Sequence, residues 1–385
     1  MNTKKQLYPL KFIPIPSRRI WGGNWLISEL GKTYVENDEE GNEVELSAKD
    51  KIGESWEIAD MGIEDSVVAE GWLAGNELSE IMETYLERIV GEHNCMWFGR
   101  QFPVLVKYLD IEDKISVQVH PDDEIAEERY DALGKSELWY VMDAKPGAKA
   151  YVGFKREVTA QELYDRCLNG TIVEVLNEIE PKKGDVIIIK PGTVHSACGG
   201  LKLVEIQESS DMVFRLYDWG RENNPATRRE MHLEEAIDMI NYAPFDPSHW
   251  IKAEDMHQDK IIDNICTSPE FTVNKINLTD PLHIYTDKFG SFIVYMCVEG
   301  AAEIKVKEEN EDKRYTITKG ETILIPADMP DFFVHPKQEG TVLLETMVEK
   351  REEIDEYIDP ETEAFLEGED YDGLEDEYGD NKPLS

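Results

Sequence analysis

The feature that most constrains the fold of this chain is the repeated alternation of short β-branched or aromatic runs with turn residues. In the first half, the clearest runs are 102–109, 115–119, 138–142, 185–189 and 201–207. Val, Ile, Phe and Tyr favour strands, whereas Gly, Pro and Asp favour the turns between them. This pattern is typical of a barrel or sandwich, so the sequence predicts a mainly β protein.

The strand pattern begins again after about residue 258, in runs at 271–276, 292–298, 302–306, 322–325 and 342–347. Because 385 residues exceed the length of a typical single domain, we predict two units, 1–258 and 259–350. The remaining segment, 351–385, carries 15 Asp or Glu against 2 Lys or Arg, a net charge of −13. This composition predicts an acidic, disordered tail.

Three segments of the first unit carry apolar residues at helical spacing and predict helical insertions at about 76–91, 159–180 and 228–241. Asn76 and Thr159 are expected to cap the first two helices. Asp122 is expected to cap a shorter helix that precedes Gly134.

The formal net charge of −41 limits the partners of this chain. A polyanion repels phosphate backbones and anionic lipid, so we expect neither nucleic acid nor a membrane as a partner. No stretch is apolar and long enough to span a bilayer. The five cysteines are scattered without a CxxC pair, which indicates neither a disulfide framework nor a thiolate zinc site. We therefore expect a cytoplasmic protein.

Two segments carry the chemistry. In 116–123 (SVQVHPDD), Gln118 and His120 stand two residues apart and so face the same side of a strand. The chain re-enters a strand at Glu137, which can return beside them. In 184–195 (GDVIIIKPGTVH), an apolar strand leads through a Pro-Gly turn to His195.

Neither segment is specific by itself, because a single histidine after a strand is more often a hydrogen-bonded structural residue. Together they supply two imidazoles, one carboxylate and one amide oxygen. This mixed set suits Zn²⁺ or a neighbouring divalent ion and leaves positions for water or substrate.

These segments resemble the motifs of class I mannose-6-phosphate isomerases (phosphomannose isomerases) of the cupin superfamily. Segment 184–195 is similar to the second cupin motif, and 118–120 to the first motif with Gln in place of its leading His. The similarity continues through 53–57 (GESWE), 134–137 (GKSE) and 210–218 (SDMVFRLYD), and covers about residues 10–350. The resemblance implies two cupin, jelly-roll-like β-barrels.

The resemblance also implies a metal site. Its ligands fall on Gln118, His120, Glu137 and His195. We expect one Zn²⁺ per chain, with another divalent metal as the alternative.

The implied reaction interconverts mannose 6-phosphate and fructose 6-phosphate through an enediol, and the family's catalytic positions fall on Arg215, Lys135 and Asp211. A metal and a fixed guanidinium stabilise the negative charge of the enediolate while a base moves the proton. We expect the metal and Arg215 to act as electrophiles. The base is open among Lys135, Asp211, Glu54 and a metal-bound hydroxide.

The substrate is expected to contact Lys135, Arg215, Arg19 and Glu54. For its phosphate the candidate cations are Arg19, Lys135, Lys190 and Arg215, and the sequence alone does not choose among them.

The second unit departs from the metal-binding pattern. Segment 320–331 (GETILIPADMPD) resembles the cupin turn, but Asp331 stands where the ligand histidine would be. We therefore expect a barrel without a metal, with His335 as a surface or packing residue.

Two other functions fit the same residues. His120, His195 and Glu137 satisfy the two-histidine, one-carboxylate requirement of a non-haem metal oxygenase. A non-catalytic sugar-phosphate-binding cupin is the other alternative. Gln118, Lys135 and Arg215 favour the isomerase, because a fourth ligand occupies a position that O₂ would need and two cations suit an anionic sugar. The sequence leaves monomer and homodimer open.

Overall fold

The computed structural model describes residues 5–38, 40–257, 260–308 and 311–349. The acidic segment predicted at 351–385 lies outside these residues. The described chain is mainly β, as the strand pattern predicts. Among the described residues, no helix is long and apolar enough to cross a bilayer.

The first half forms two antiparallel sheets and a small hairpin. Its strands are β1 Ile15–Gly23, β2 Val35–Asn37, β3 Glu43–Glu45, β4 Ile52–Ile58, β5 Val104–Ile111, β6 Val117–Val119, β7 Glu137–Ala144, β8 Lys149–Phe154, β9 Leu176–Ile179, β10 Val186–Ile189, β11 His195–Cys198, β12 Leu201–Glu208, β13 Phe214–Tyr217 and β14 Trp250–Ile251. The larger sheet has seven strands in the order β1-β4-β5-β12-β7-β10-β14, and the smaller has five in the order β13-β6-β11-β8-β9. Strands β2 and β3 pair with each other.

The second half forms two further antiparallel sheets. Its strands are β15 Ile262–Thr267, β16 Thr272–Leu278, β17 Leu282–Ile284, β18 Ile293–Glu299, β19 Ala301–Glu308, β20 Glu311–Thr318, β21 Thr322–Ile325, β22 Phe332–Pro336 and β23 Thr341–Met347. They pair in the orders β15-β16-β23-β18-β21 and β17-β22-β19-β20. Within the described ranges no pairing joins the first strand of a sheet to its last, so the closed form of the two predicted barrels is not seen.

The seven-stranded sheet is covered on both faces. One face packs on the five-stranded sheet of the first half through a cluster that includes Leu109, Trp139 and Val152. The other face packs on the second half through a cluster that includes Val106 and Val294. Every residue of the central strands β5 and β12 is therefore buried, and alternation along each strand decides only which layer a side chain enters.

In the part of the chain that the structure describes, the α-helices lie in the first half, between strands. They are α1 Trp25–Ser28, α2 Leu78–Val90, α3 Glu92–Phe98, α4 Asp123–Tyr130, α5 Ala160–Leu168 and α6 Leu233–Ala236. Short 3₁₀ turns occupy Ile172–Glu174, Arg221–Asn223, Pro247–His249, Ala253–Asp255 and Thr286–Lys288. Two predicted caps are confirmed, since Thr159 accepts from the N–H of Glu162 and Asp122 accepts from that of Ile125.

Several helical predictions are wrong in detail. Asn76 does not cap α2, because its side chain turns back to the carbonyl of Leu73 and Glu77 takes the cap position. The segment 159–180 is α-helical only as far as Leu168, since Gly170 adopts a φ of +66°. The 3₁₀ turn Ile172–Glu174 then leads into β9. The segment 228–241 contains only the single turn α6, and α3 was not predicted.

The two halves share an aromatic contact that generates a stability prediction. Phe102 and Phe292 are fully buried, with ring centroids 4.7 Å apart. Phe292→Ala should lower the free energy of unfolding by about 3–5 kcal/mol, because the lost burial leaves a cavity between packed sheets. Phe333→Ala is the control, since that ring is 40% exposed and should cost about 1 kcal/mol or less. Equal losses in urea unfolding would contradict this account of the interface.

Candidate active site

Three buried side chains from the two sheets of the first half converge on one point. His120 follows β6, Glu137 begins β7 and His195 begins β11. Their candidate ligand atoms all lie within 4.8 Å of one another. His120 Nε2 lies 3.3 Å from Glu137 Oε1, and His195 Nε2 lies 3.5 Å from Glu137 Oε2. The fold thus brings together three of the four residues predicted to bind a metal.

Backbone carbonyls orient both imidazole rings. His120 Nδ1 lies 2.7 Å from the carbonyl oxygen of Met212, and His195 Nδ1 lies 2.9 Å from that of Thr193. A carbonyl can only accept, so each Nδ1 carries the proton and each Nε2 presents its lone pair to the centre. Burial, followed by the nearby Lys135 ammonium, lowers the pKa of His120 to about 4. Burial also lowers the pKa of His195, so both rings are in the neutral form that ligates metals.

Two atoms at this centre are buried without a hydrogen-bond partner, namely His120 Nε2 and Glu137 Oε2. An unsatisfied buried polar atom costs about 1–3 kcal/mol. A divalent cation between the three residues would satisfy both atoms together, since each offers a lone pair to the same space. The donor set therefore fits a metal ion.

Gln118 reaches the same centre from the middle of β6. It stands directly opposite His195 on one side and Arg215 on the other, so these side chains share a face of the sheet. Ser116 donates to Gln118 Oε1 at 3.0 Å, and Gln118 Nε2 lies 3.4 Å from His195 Nε2. The amide would have to turn its oxygen toward the centre to act as a ligand, which requires only rotation about its last bond.

A cavity of about 340 Å³ opens beside this centre. It brings together the sequence-predicted residues Arg19, Glu54, Gln118, Lys135, Glu137, Asp211 and Arg215. Lys190, the remaining candidate for the phosphate, instead lines a separate cleft with His249 and Cys266.

Sequence reasoning missed Lys107, Trp139, Glu205 and Arg229, which also line the cavity. Lys107 and Glu205 face each other across β5 and β12, two strands that are buried throughout. A charged residue inside a predicted strand was the available signal for both, because such a charge is rarely buried without a partner. Arg229 lies in a loop and had no such signal.

Lys107 links the carboxylates along one wall. Its Nζ lies 3.5 Å from Glu205, 3.7 Å from Asp211 and 3.9 Å from Glu54. Glu54 also accepts from Arg19 Nε at 2.7 Å. Burial opposes the charge on Glu54, but Lys107 and Arg19 outweigh it and lower the pKa to about 2.

The pKa values of Lys135 and Glu205 are both raised, with different consequences for their charge. Burial opposes the charge on Lys135, but Glu137, Glu205 and Asp211 outweigh it and raise its pKa, so Lys135 stays an ammonium. Burial and then the charge of Glu137 raise the pKa of Glu205 to about 7. Lys135 Nζ lies 3.2 Å from Glu137 Oε1, which places the ammonium beside the candidate metal ligands.

Comparison with known proteins identifies the family. Residues 10–158 match the family described as phosphomannose isomerase type I, catalytic domain, and residues 262–342 match the mannose-6-phosphate isomerase cupin domain. The mannose-6-phosphate isomerase ManA of Bacillus subtilis is 30% identical over 325 residues, which is 84% of this chain and 95% of the relative. The chain belongs to the mannose-6-phosphate isomerase family.

The predicted resemblance to this family is therefore confirmed. The mannose-6-phosphate isomerase of Streptococcus mutans is 29% identical over 312 residues, covering 80% of this chain and 89% of that protein. The crystal structure of the mannose 6-phosphate isomerase from Bacillus subtilis matches with a TM-score of 0.72 and 27% identity, over 88% of this chain and 99% of that one. A phosphomannose isomerase from Salmonella typhimurium, 16% identical with a TM-score of 0.69, shares the fold over 89% of this chain and 100% of its own.

In this mannose-6-phosphate isomerase family member, two carboxyl groups outside the cavity lining accept hydrogen bonds from the backbone of the segment that carries Lys135 and Glu137. The N–H of Gly134 donates to Asp123 Oδ1 at 2.8 Å, and that of Ser136 donates to Glu208 Oε1 at 2.6 Å. Burial, followed by the charge of Asp123 and then of Glu270, raises the pKa of Glu208 well above its usual range. Glu208 is therefore a neutral acid that can donate to Asp123 while it accepts from Ser136.

This arrangement predicts a pH dependence. The pKa of Glu208 is higher in the folded state than in the unfolded state. Its contribution to the free energy of unfolding is therefore complete below about pH 4.5 and is lost as the pH rises toward the folded-state pKa. Glu208→Gln keeps the acceptor and the donor but does not titrate, so its unfolding free energy should fall less between about pH 4.5 and neutrality.

Urea unfolding across this pH range measures the difference. The exposed Glu83→Gln variant is the control and should follow the wild-type profile. Parallel profiles for wild type and Glu208→Gln would show that Glu208 is already ionised in the folded protein.

Proposed function

We propose that this chain is a metal-dependent aldose–ketose isomerase that interconverts mannose 6-phosphate and fructose 6-phosphate through an enediol. The observation that carries the proposal is the buried His120, Glu137 and His195 group, whose unpartnered ligand atoms adjoin a cavity lined by lysine and arginine. The relatives that share most of the chain's length are named for the same reaction.

The finer features follow from the same assignment. We propose one Zn²⁺ per chain, held by Gln118, His120, Glu137 and His195, because two imidazoles and two oxygen donors suit this ion. We propose a catalytic cupin barrel in 1–258 and a second cupin barrel without metal in 259–350. The proposed location is the cytoplasm, and both a monomer and a homodimer are compatible with the assignment.

The metal, when bound, would supply a Lewis acid that polarises the carbonyl oxygen of the open-chain sugar. The chain's own side chains would supply the hydrogen bonds to the substrate and the proton transfer. Lys135, held as an ammonium beside Glu137, is suited to donate a hydrogen bond to a substrate oxygen rather than to accept a proton. Glu54 is a poor base, since Lys107 and Arg19 stabilise its charged form.

Asp211 and Glu205 remain as the carboxylates for proton transfer between C2 and C1. Both lie within 3.7 Å of Lys107 Nζ, and both line the cavity. Glu205 has a pKa near the working pH, which favours reversible proton transfer. Trp139 Nε1 donates to Glu205 Oε2 at 2.8 Å and fixes that carboxyl group.

Arg215 is the proposed second electrophile. Burial, followed by the charge of Arg229, lowers its pKa to about 10, so it remains protonated at neutral pH. Its Nη1 donates to the carbonyl of Glu230 at 2.6 Å, and its buried Nε has no hydrogen-bond partner. A developing enediolate oxygen would supply the acceptor that this Nε lacks.

A coupled assay of the purified protein on mannose 6-phosphate, run with and without a chelator and beside an oxygen electrode, tests the function. We expect turnover that the chelator abolishes, that added Zn²⁺ restores, and that consumes no O₂. Oxygen consumption would instead identify an oxygenase. Absence of turnover in protein with a full metal complement would leave only the non-catalytic binding function.

The role of Arg215 predicts a specific kinetic change. Arg215→Met should lower kcat by about 10²- to 10³-fold, or roughly 2.7–4 kcal/mol, because the contact is stronger in the transition state than with bound substrate. Arg215→Lys should restore only part of this loss, since an ammonium lacks the planar fork. Steady-state kinetics with measured metal content provide the check. An Arg215→Met enzyme with wild-type kcat would remove Arg215 from the mechanism.

A further inference from the structure

The connection between β12 and β13, residues 209–213, carries two groups of the candidate active site. It passes from the seven-stranded sheet to the five-stranded sheet. The carboxylate of Asp211 lies in the cavity wall, 3.7 Å from Lys107 Nζ. The carbonyl oxygen of Met212 lies 2.7 Å from His120 Nδ1 and orients that imidazole. The position of the β12–β13 connection therefore affects both the proposed proton transfer and a candidate metal ligand.

The side-chain amide of Gln207, near the end of β12, fixes the start of this connection. Its Nε2 donates to the carbonyl of Glu208 at 3.0 Å and to that of Ser210 at 2.5 Å. Residues 209–213 belong to no strand or helix, so the regular ladder that fixes β12 ends before Asp211. The amide of Gln207 thus supplies hydrogen bonds at the point where the ladder stops.

The side chain of Gln207 lies in the same layer as the candidate metal ligands. Gln207 stands directly opposite Glu137 in the pairing of β12 with β7, and residues opposite each other in an antiparallel pair place their side chains on one face. Glu205, two residues earlier, points to the same face and lines the cavity. Gln207 has no exposed surface and is not part of the cavity wall. It therefore lies beneath the wall, where it can support the site without touching the substrate.

A buried amide at this position has a cost that an apolar side chain would avoid. Oε1 of Gln207 is buried without a hydrogen-bond partner, which destabilises the folded state. The reverse orientation of the amide would place its oxygen against two carbonyls and would lose both hydrogen bonds, so the two acceptors fix the orientation. These two donated hydrogen bonds are what an apolar side chain could not supply, and both act on the chain at the start of the connection.

We propose that Gln207 is a positioning residue that raises the affinity of the site for its metal and places Asp211 for proton transfer. It acts through the backbone of Ser210, which leads to Asp211 and then to the Met212 carbonyl that orients His120. The proposal rests on the proposed function and extends it to a residue outside the cavity wall.

Gln207→Met tests the proposal, because methionine keeps the length of the side chain but cannot donate a hydrogen bond. Zn²⁺ affinity, measured by competition with a chromophoric chelator, should fall by about 10- to 100-fold, the range for loss of a group that orients a ligand. At full metal content kcat should fall by up to about 100-fold with KM largely retained, because Asp211 is displaced. Gln207→Asn keeps an amide that is one methylene too short to reach Ser210, so it should lose affinity in the same way.

Asn94→Leu is the matched control. Asn94 is also buried, its Nδ2 donates to the carbonyl of Val90 at 2.8 Å and to Ser291 Oγ at 3.0 Å, and its Oδ1 has no hydrogen-bond partner. It lies in α3 and is not part of the cavity wall. Asn94→Leu should shift the urea midpoint about as far as Gln207→Met does, but should leave Zn²⁺ affinity and kcat at the wild-type values.

A double variant separates the two effects of Gln207. In an Asp211→Asn background, Gln207→Met should lower the Zn²⁺ affinity as before but should reduce kcat little further, because its effect on kcat passes through Asp211. Fully additive losses in kcat would overturn the assigned action of Gln207 on Asp211.

The proposal as a whole is overturned if both Gln207 variants bind Zn²⁺ and turn over as the wild type does, since Gln207 would then act on stability alone. An equal fall in Zn²⁺ affinity in Asn94→Leu would also overturn it, because the loss would then follow stability rather than position. Failure of the wild type to isomerise mannose 6-phosphate would instead overturn the proposed function, and weaker Zn²⁺ binding by Gln207→Met would still support the positioning role.

Discussion

The constraint on which the rest of the structure depends is the coverage of the seven-stranded sheet on both faces. One face packs on the five-stranded sheet of the first half, and the other face packs on the second half. Because strands β5 and β12 have no solvent-facing side, any charged residue placed on them must be compensated within the protein. Lys107 and Glu205 satisfy this requirement through each other. The candidate active cavity is therefore located where the apolar packing between the two sheets gives way to paired charges.

The pairing of charges also restrains the side chains of the cavity in the absence of a ligand. Lys107 is shared by carboxylates from β4, β12 and the loop after β12, and Lys135 is fixed beside Glu137. Removing one partner of a buried pair leaves the other charge without compensation, so each side chain restrains its neighbours. Carbonyl contacts hold the two imidazoles in the same way. Such an arrangement needs little reorganisation when charge develops on the substrate.

The sequence predicted those features that depend on local geometry. The spacing of Gln118 and His120 follows from the two-residue period of a strand, and Asp122 and Thr159 cap helices by contacts three residues along the chain. Features that depend on strand order were not accessible in the same way. The Lys107 and Glu205 pair requires the register of β5 against β12, which are far apart in sequence, and Arg229 enters the cavity from a loop. Helix lengths were overestimated where a strand pairing, such as that of β9 with β8, prevailed over local periodicity.

The lysines and arginines that line the cavity have a consequence for the approach of the substrate. The chain as a whole is strongly negative, so an anionic sugar is repelled by most of the surface. At physiological ionic strength this repulsion decays over about 8 Å, whereas charges within a low-dielectric pocket are screened much less. A phosphorylated sugar is therefore attracted by the cations of the cavity once it comes within about this distance of them. The rate of encounter with the substrate should consequently be low and should depend on ionic strength. Binding inside the cavity, once the phosphate has passed the entrance, should depend on ionic strength much less.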